Sequence, residues 1–138
     1  MFERADEVIA FARSCVGTPF VHQGRSPGVG LDCAGLGIVS AKAAGIFIKD
    51  FSGYPRTPFD GMLKKMFDEQ KNLIRVDASD LSPGDILLMR FSSQPQHVAI
   101  MSNDGYIIHA YQNIGKVVEH RLDANWRRKI VAVYRLSL

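Results

Sequence analysis

Helices in the first half of the chain and closely spaced strands in the second predict an α+β domain, with N-terminal helices packed on a C-terminal antiparallel sheet. Two observations carry this. As far as Gln70 apolar residues recur at helical spacing, and after Leu81 short apolar runs alternate with turn sequences. A third is the stretch from Cys33 to Ala44, which is almost uncharged and rich in small residues, the pattern of a central buried helix.

From Glu3 to Cys15, Val8, Ile9, Phe11, Ala12 and Cys15 share one face of a first helix, which Gly17-Thr18-Pro19 ends. A loop rich in glycine and polar residues leads to Gly30, and Cys33 opens the central helix, which Gly45 closes. Glycines at 35 and 37 each cost the helix about 1 kcal/mol relative to alanine, so close backbone packing or access to the thiol is their expected reason. Phe51 to Pro58 reads as a connection, and Phe59, Met62, Leu63, Met66 and Phe67 mark a third helix to Gln70. Leu81-Ser82-Pro83-Gly84-Asp85 is a turn that starts a strand at Ile86. Strands follow at 97–101, 106–111, 116–120 and 130–136, joined by short turns as a meander.

The chain has 138 residues, 46% hydrophobic and 22% charged, which bounds it to one domain over 1–138 with an ordinary core. A net charge of +3 with scattered lysines and arginines gives no nucleic-acid footprint. The first residues carry acids where a secretory signal carries bases, and no apolar run reaches membrane-spanning length. The expectation is therefore no signal peptide, synthesis in the cytoplasm and no membrane span. With two cysteines and one needed as a thiol, no disulfide framework is expected, and Cys15 reads as packing.

The chemistry centres on Gly28-Val29-Gly30-Leu31-Asp32-Cys33. A cysteine at a helix N-terminus meets the positive end of the helix dipole, which favours the thiolate. His97 and His109 sit on neighbouring strands, 12 positions apart, as adjacent antiparallel strands joined at Asn103-Asp104-Gly105 would place them. A cysteine with two such histidines is the layout of a cysteine hydrolase: Cys33 as nucleophile, His97 as general base, His109 as the group that orients the base. The backbone N–H of Cys33 is the first oxyanion donor. Gln23 and His22, in the preceding loop, are candidates for the second. Asp32 is expected to cap the helix and tether that loop, and His22 and Arg25 are the candidate substrate contacts. A zinc site built from Cys33, His97 and His109 is the chemical competitor, but no short ligand pair such as CxxC is present, so neither metal nor cofactor is implied. His120 reads as a surface or hairpin residue.

These segments resemble the NlpC family of papain-like cysteine peptidases, which cleave peptide stems of bacterial peptidoglycan. Gly17-Thr18-Pro19-Phe20, Leu31-Asp32-Cys33-Ala34-Gly35-Leu36, Leu81-Ser82-Pro83-Gly84-Asp85-Ile86-Leu87, Gln96-His97-Val98-Ala99-Ile100 and Ile108-His109-Ala110 look like five of its motifs, in the family's order across nearly the whole chain. The resemblance implies the same roles for Cys33, His97 and His109, a papain-like fold and peptidoglycan stems as partner. It departs from the family at Phe20, where members commonly carry a tyrosine whose hydroxyl helps the oxyanion site, and at Ala34, where a serine is usual. The loop from His22 to Gly30 looks most like small members from phage tails or gene-transfer particles. That implies tail-protein partners and action in the periplasm as part of a particle. Phe20 keeps a second reading open, a structural tail component of the same fold without turnover. An acyltransferase would need an amine acceptor, for which no residue argues.

Overall fold

The computed structural model describes residues 2–54, 61–91 and 95–137. Helix α1 (Phe2–Ser14) turns Val8, Ile9 and Ala12 into the core, as their spacing requires. The loop after it contains a two-residue hairpin, β1 (Arg25–Ser26) with β2 (Gly30–Leu31), that delivers the chain to α2 (Cys33–Ala43). Helix α2 is central. Ala34, Gly35, Leu36, Gly37, Ile38, Ser40 and Ala41 are all buried, which explains why it carries so little charge. Gly45 stops it at φ 77°, letting the N–H groups of Gly45 and Ile46 reach the carbonyls of Lys42 and Ala41.

Helix α3 (Met62–Asp68) is tied to the sheet by Phe67, whose ring lies 5.8 Å from that of Tyr134, and by the Tyr134 hydroxyl, which donates to Asp68 at 2.6 Å. The expected start of this helix at Phe59 lies outside the described residues. Six strands follow: β3 (Leu73–Val76), β4 (Ile86–Arg90), β5 (Pro95–Met101), β6 (Tyr106–Tyr111), β7 (Lys116–Arg121) and β8 (Ile130–Leu136). Their order is β3-β8-β4-β5-β6-β7, with every pair antiparallel.

Strand β3 was not expected; the other five match the expected segments to within two residues, but the six do not form a simple meander. After β7 the chain crosses the sheet through a short helix, α4 (Ala124–Arg127), and β8 inserts between β3 and β4. Helix α4 stands where a turn was expected, and Asp123 caps it by accepting the Trp126 N–H at 2.9 Å. The turn before β4 is anchored by Asp85, a buried carboxylate that receives the Ser82 N–H and both Nε and Nη2 of Arg135.

Strand alternation divides the apolar residues into two layers. Ile86, Leu88, Val98, Ile100, Ile108 and Ala110 pack under α1 and α2, whereas Leu87, Met89, Ala99, Met101 and Ile107 form a smaller cluster on the opposite face, bordered by Trp126. Pairing of Ile100 with Ile108 and Met101 with Ile107 links β5 to β6, and their ladder goes no further.

The two glycines of α2 differ in what they allow. A Cβ on Gly35 would lie 2.2 Å from the Gly24 carbonyl oxygen, whereas one on Gly37 would meet only Ile86 and Val98 methyls at 3.9 Å. Gly35→Ala is therefore expected to cost about 1–3 kcal/mol, and Gly37→Ala to be neutral or stabilising by up to about 1 kcal/mol. Chemical denaturation of both variants checks this. Equal effects at the two positions would contradict it.

Candidate active site

The site is assembled around one carboxylate. Asp32, 2% exposed, is the N-cap of α2, and its Oδ1 accepts the Gly35 N–H at 2.8 Å and Nη1 of Arg25 at 3.0 Å. Its Oδ2 accepts the backbone N–H of Gln23 at 2.8 Å and the hydroxyl of Tyr54. Four donors from three parts of the chain thus fix the first turn of α2. Cys33 is the first residue of that helix.

Cys33 and His97 line the same cavity of about 420 Å³, together with Phe20, His22, Tyr54, Phe91, Tyr111, Gln112 and Lys129 among others. Cys33 comes from the helix layer, whereas His97 alternates with Ala99 and Met101 toward the other layer. The two meet at the head of β5, beyond the last paired residues of β5 and β6.

Behind His97 the rings continue. His97 Nε2 and His109 Nδ1 are 2.6 Å apart, His109 Nε2 and His120 Nε2 are 2.8 Å apart, and His120 Nδ1 lies 3.0 Å from the Arg121 carbonyl oxygen. Three adjacent strands each contribute one imidazole to one row. The row is walled by aromatic rings: Tyr111 stacks on His109 at 5.1 Å, and Trp126 lies 5.1 Å from both His109 and His120.

Burial dominates the electrostatics. It pushes the Cys33 thiol up to about 12, and the neighbouring Asp32 carboxylate acts in the same direction. The backbone N–H groups of Val98, Ala34 and Cys33 pull the other way without prevailing. Burial also pushes His97 down to about 3, helped by His120, and His109 down to about 2, helped by His97 and His120. Both shifts favour a neutral thiol beside a neutral imidazole. The pull of the helix terminus toward a thiolate is thus opposed by desolvation and an adjacent buried carboxylate at once.

Two loop assignments are also corrected. Gln23 donates its side-chain amide to the Tyr54 carbonyl at 3.0 Å and does not line the cavity with Cys33, so it is not placed as the second oxyanion donor. Arg25 directs its guanidinium at Asp32, Asp50, the carbonyls of Gly24 and Phe51 and the Tyr54 hydroxyl, which makes it a brace of the loop, and it does not line the cavity shared by Cys33 and His97. His22 does line the cavity, edge-on to Tyr54. Asp32 caps and tethers as expected. His120, read as a surface residue, is half-buried and joined to His109. Cys15 and Cys33 are both free thiols. Among the described residues no group of three or more histidine, cysteine or carboxylate side chains is arranged to hold a metal ion, and no helix is long and apolar enough to cross a membrane.

Two tests follow from the neutral rings and thiol. Unfolded histidines take protons below about 6.5 while folded His97 and His109 do not, so the unfolded state gains protons as pH falls and stability drops. From about pH 6.5 to about pH 5, above the carboxylate range, each buried histidine is expected to remove stability with a slope that rises from about 0.7 to about 1.4 kcal/mol per pH unit. Denaturation of the native chain and of His109→Gln measures it; a slope unchanged by the substitution would contradict the assignment. Alkylation of Cys33 by iodoacetamide is expected to accelerate continuously from about pH 6 to about pH 9, as a raised thiol demands. A rate already level at about pH 6 would show a preformed thiolate instead.

Comparison with known proteins agrees with the fold. No curated protein matches the chain significantly. Among solved structures, an NlpC/P60 family protein from Bacillus cereus is 24% identical with a TM-score of 0.73, over 97% of this chain and 40% of that one. The peptidoglycan hydrolase RipB from Mycobacterium tuberculosis is 21% identical with a TM-score of 0.74, over 99% of this chain and 66% of that one. The NlpC/p60 domain of the peptidoglycan hydrolase SagA is 23% identical with a TM-score of 0.66, over 97% of this chain and 98% of that domain. The chain thus spans less than two thirds of the length of the first two, and shares with all three the papain-like arrangement of helices on an antiparallel sheet. The family match itself extends over residues 17–135, and on that match the chain belongs to the NlpC/P60 family.

Proposed function

We propose that this chain is a cysteine peptidase that hydrolyses an amide bond in the peptide stem of bacterial peptidoglycan. The observation that carries the proposal is the cavity shared by Cys33 and His97, with His97 held from behind by His109 through a 2.6 Å N···N contact. Family membership supports the reaction class, and the substrate class is supported by RipB and SagA, both named peptidoglycan hydrolases.

In this mechanism His97 Nδ1 takes the thiol proton as Sγ attacks the amide carbonyl carbon. Because thiol and imidazole both start neutral, proton transfer accompanies attack instead of preceding it. The developing oxyanion is received at the start of α2, by the backbone N–H of Cys33. The protonated His97 then gives its proton to the leaving amine, a thioester forms between Cys33 and the acyl part, and water resolves it. Lys129, Gln112 and His22 around the cavity suit a polar peptide carrying carboxylates. The loop from His22 to Gly30 supports a setting in a phage-related particle that acts in the periplasm, with tail proteins as further partners.

One observation favours a second reading. Phe20 lines the cavity and has no hydroxyl to offer an oxyanion, as a structural component without turnover would allow. Digestion of purified Gram-negative peptidoglycan by the native chain and by Cys33→Ala decides between them. Fragments with new amine and carboxyl termini are expected from the native chain alone, and mass spectrometry identifies the bond. No fragments from either, with the thiol free and the fold intact, would establish the structural reading.

A further inference from the structure

We propose that His120 is a positioning residue that fixes the tautomer of the catalytic base, with the Arg121 carbonyl setting the direction of the whole imidazole row. The argument needs only the donor and acceptor rules of a neutral imidazole, which carries one N–H and one bare nitrogen. A carbonyl oxygen can only accept, so the 3.0 Å contact to Arg121 places the His120 proton on Nδ1. His120 Nε2 is then bare. Across 2.8 Å it can only accept, so His109 carries its proton on Nε2 and presents a bare Nδ1. Across 2.6 Å that bare nitrogen requires the proton of His97 to be on Nε2. His97 Nδ1 is left with its lone pair, the form able to take a proton from Cys33.

Sheet geometry builds this row. Ile107 pairs with His120 and His109 with Val118, so His109 and His120 occupy diagonal positions on one face of β6 and β7. Trp126 packs against both rings and holds His120 in place. Without His120, His109 is free to carry its proton on Nδ1 instead. It would then donate to His97 Nε2 and force the His97 proton onto Nδ1, the atom that must receive the thiol proton. The row removes that inactive alternative.

The functional meaning rests on the peptidase reading, whereas the tautomers do not. They are read directly from two-bond ¹H–¹⁵N correlation spectra of the ¹⁵N-histidine-labelled native chain, near neutral pH. Expected are Nε2–H forms for His97 and His109 and the Nδ1–H form for His120. A wild-type His97 protonated on Nδ1 would overturn the proposal without any variant. His120→Phe removes the acceptor, so mixed tautomers are expected at His109 and His97. On peptidoglycan its kcat should fall roughly tenfold or more, part of what a general base contributes, with KM little changed. His120→Gln, whose side-chain oxygen can accept from His109, should restore single tautomers and most of kcat. Unaltered tautomers and kcat in His120→Phe would also overturn it, as would failure of a folded His120→Gln to restore either. A native chain that shows the expected tautomers but never cleaves peptidoglycan would refute the peptidase reading and leave the tautomer assignment standing.

Discussion

The site depends on a single buried carboxylate at the start of a helix. Asp32 accepts donors from Gln23, Arg25, Gly35 and Tyr54, which cap the first turn of α2 and tie to it the loop before the helix and the segment at Tyr54. A carboxylate this deeply buried is tolerated only because these donors replace its water. The same requirement shapes its surroundings: Gly35 has no side chain because the Gly24 carbonyl occupies that space, and Gln23 adopts φ 60° to present its N–H. Where Cys33 sits is a consequence of how Asp32 is satisfied.

Burial sets the rest of the chemistry. A thiol and two imidazoles withdrawn from water are driven toward their neutral forms, and neutral imidazoles can line up nitrogen to nitrogen with one proton in each contact. Two protonated rings in that row would face each other with N–H groups at 2.6 or 2.8 Å. Desolvation and geometry therefore select the same protonation state. The aromatic wall of Tyr111 and Trp126 maintains both, since it excludes water and fixes the ring planes.

Much of this was legible in the chain. The helices around Val8 and Leu36 and the strands around Leu88 and Ile108 are long enough for their periods to show, and a cysteine ahead of an uncharged helix with histidines heading later strands gave the central pair. Strand β3 was missed because Leu73-Ile74-Arg75-Val76 is a short edge segment with only Leu73 buried, so its alternation is weak. Helix α4 is a single turn that Asp123 alone announces. Arg25 and Gln23 were misplaced because a polar loop does not reveal whether its donors face a substrate or a buried carboxylate. His120 had a signal that went unused: a turn at 112–115 pairs Tyr111 with Lys116, and counting back from there puts His120 on the same face as His109. Its strand, with Val118 and Arg121 alternating, looked like a surface one.

Phe20 carries the last step. Among the side chains of the loop and its partner Tyr54 with a donor to offer an oxyanion in its stead, two are committed elsewhere: the Tyr54 hydroxyl to Asp32, the Gln23 amide to the Tyr54 carbonyl. Moving either would unsatisfy the network that fixes α2, so neither is a cheap substitute. His22 lines the cavity on a loop braced by Arg25. The backbone N–H groups of Cys33 and Ala34 already act on the thiol itself. They belong to the helix terminus that Asp32 holds rigid, and their position costs no reorganisation as charge develops. On the peptidase reading, a site that has lost a tyrosine hydroxyl keeps its anion-stabilising power to the extent that this first turn stays fixed. The buried carboxylate that raises the thiol is therefore also what holds the oxyanion donors in place.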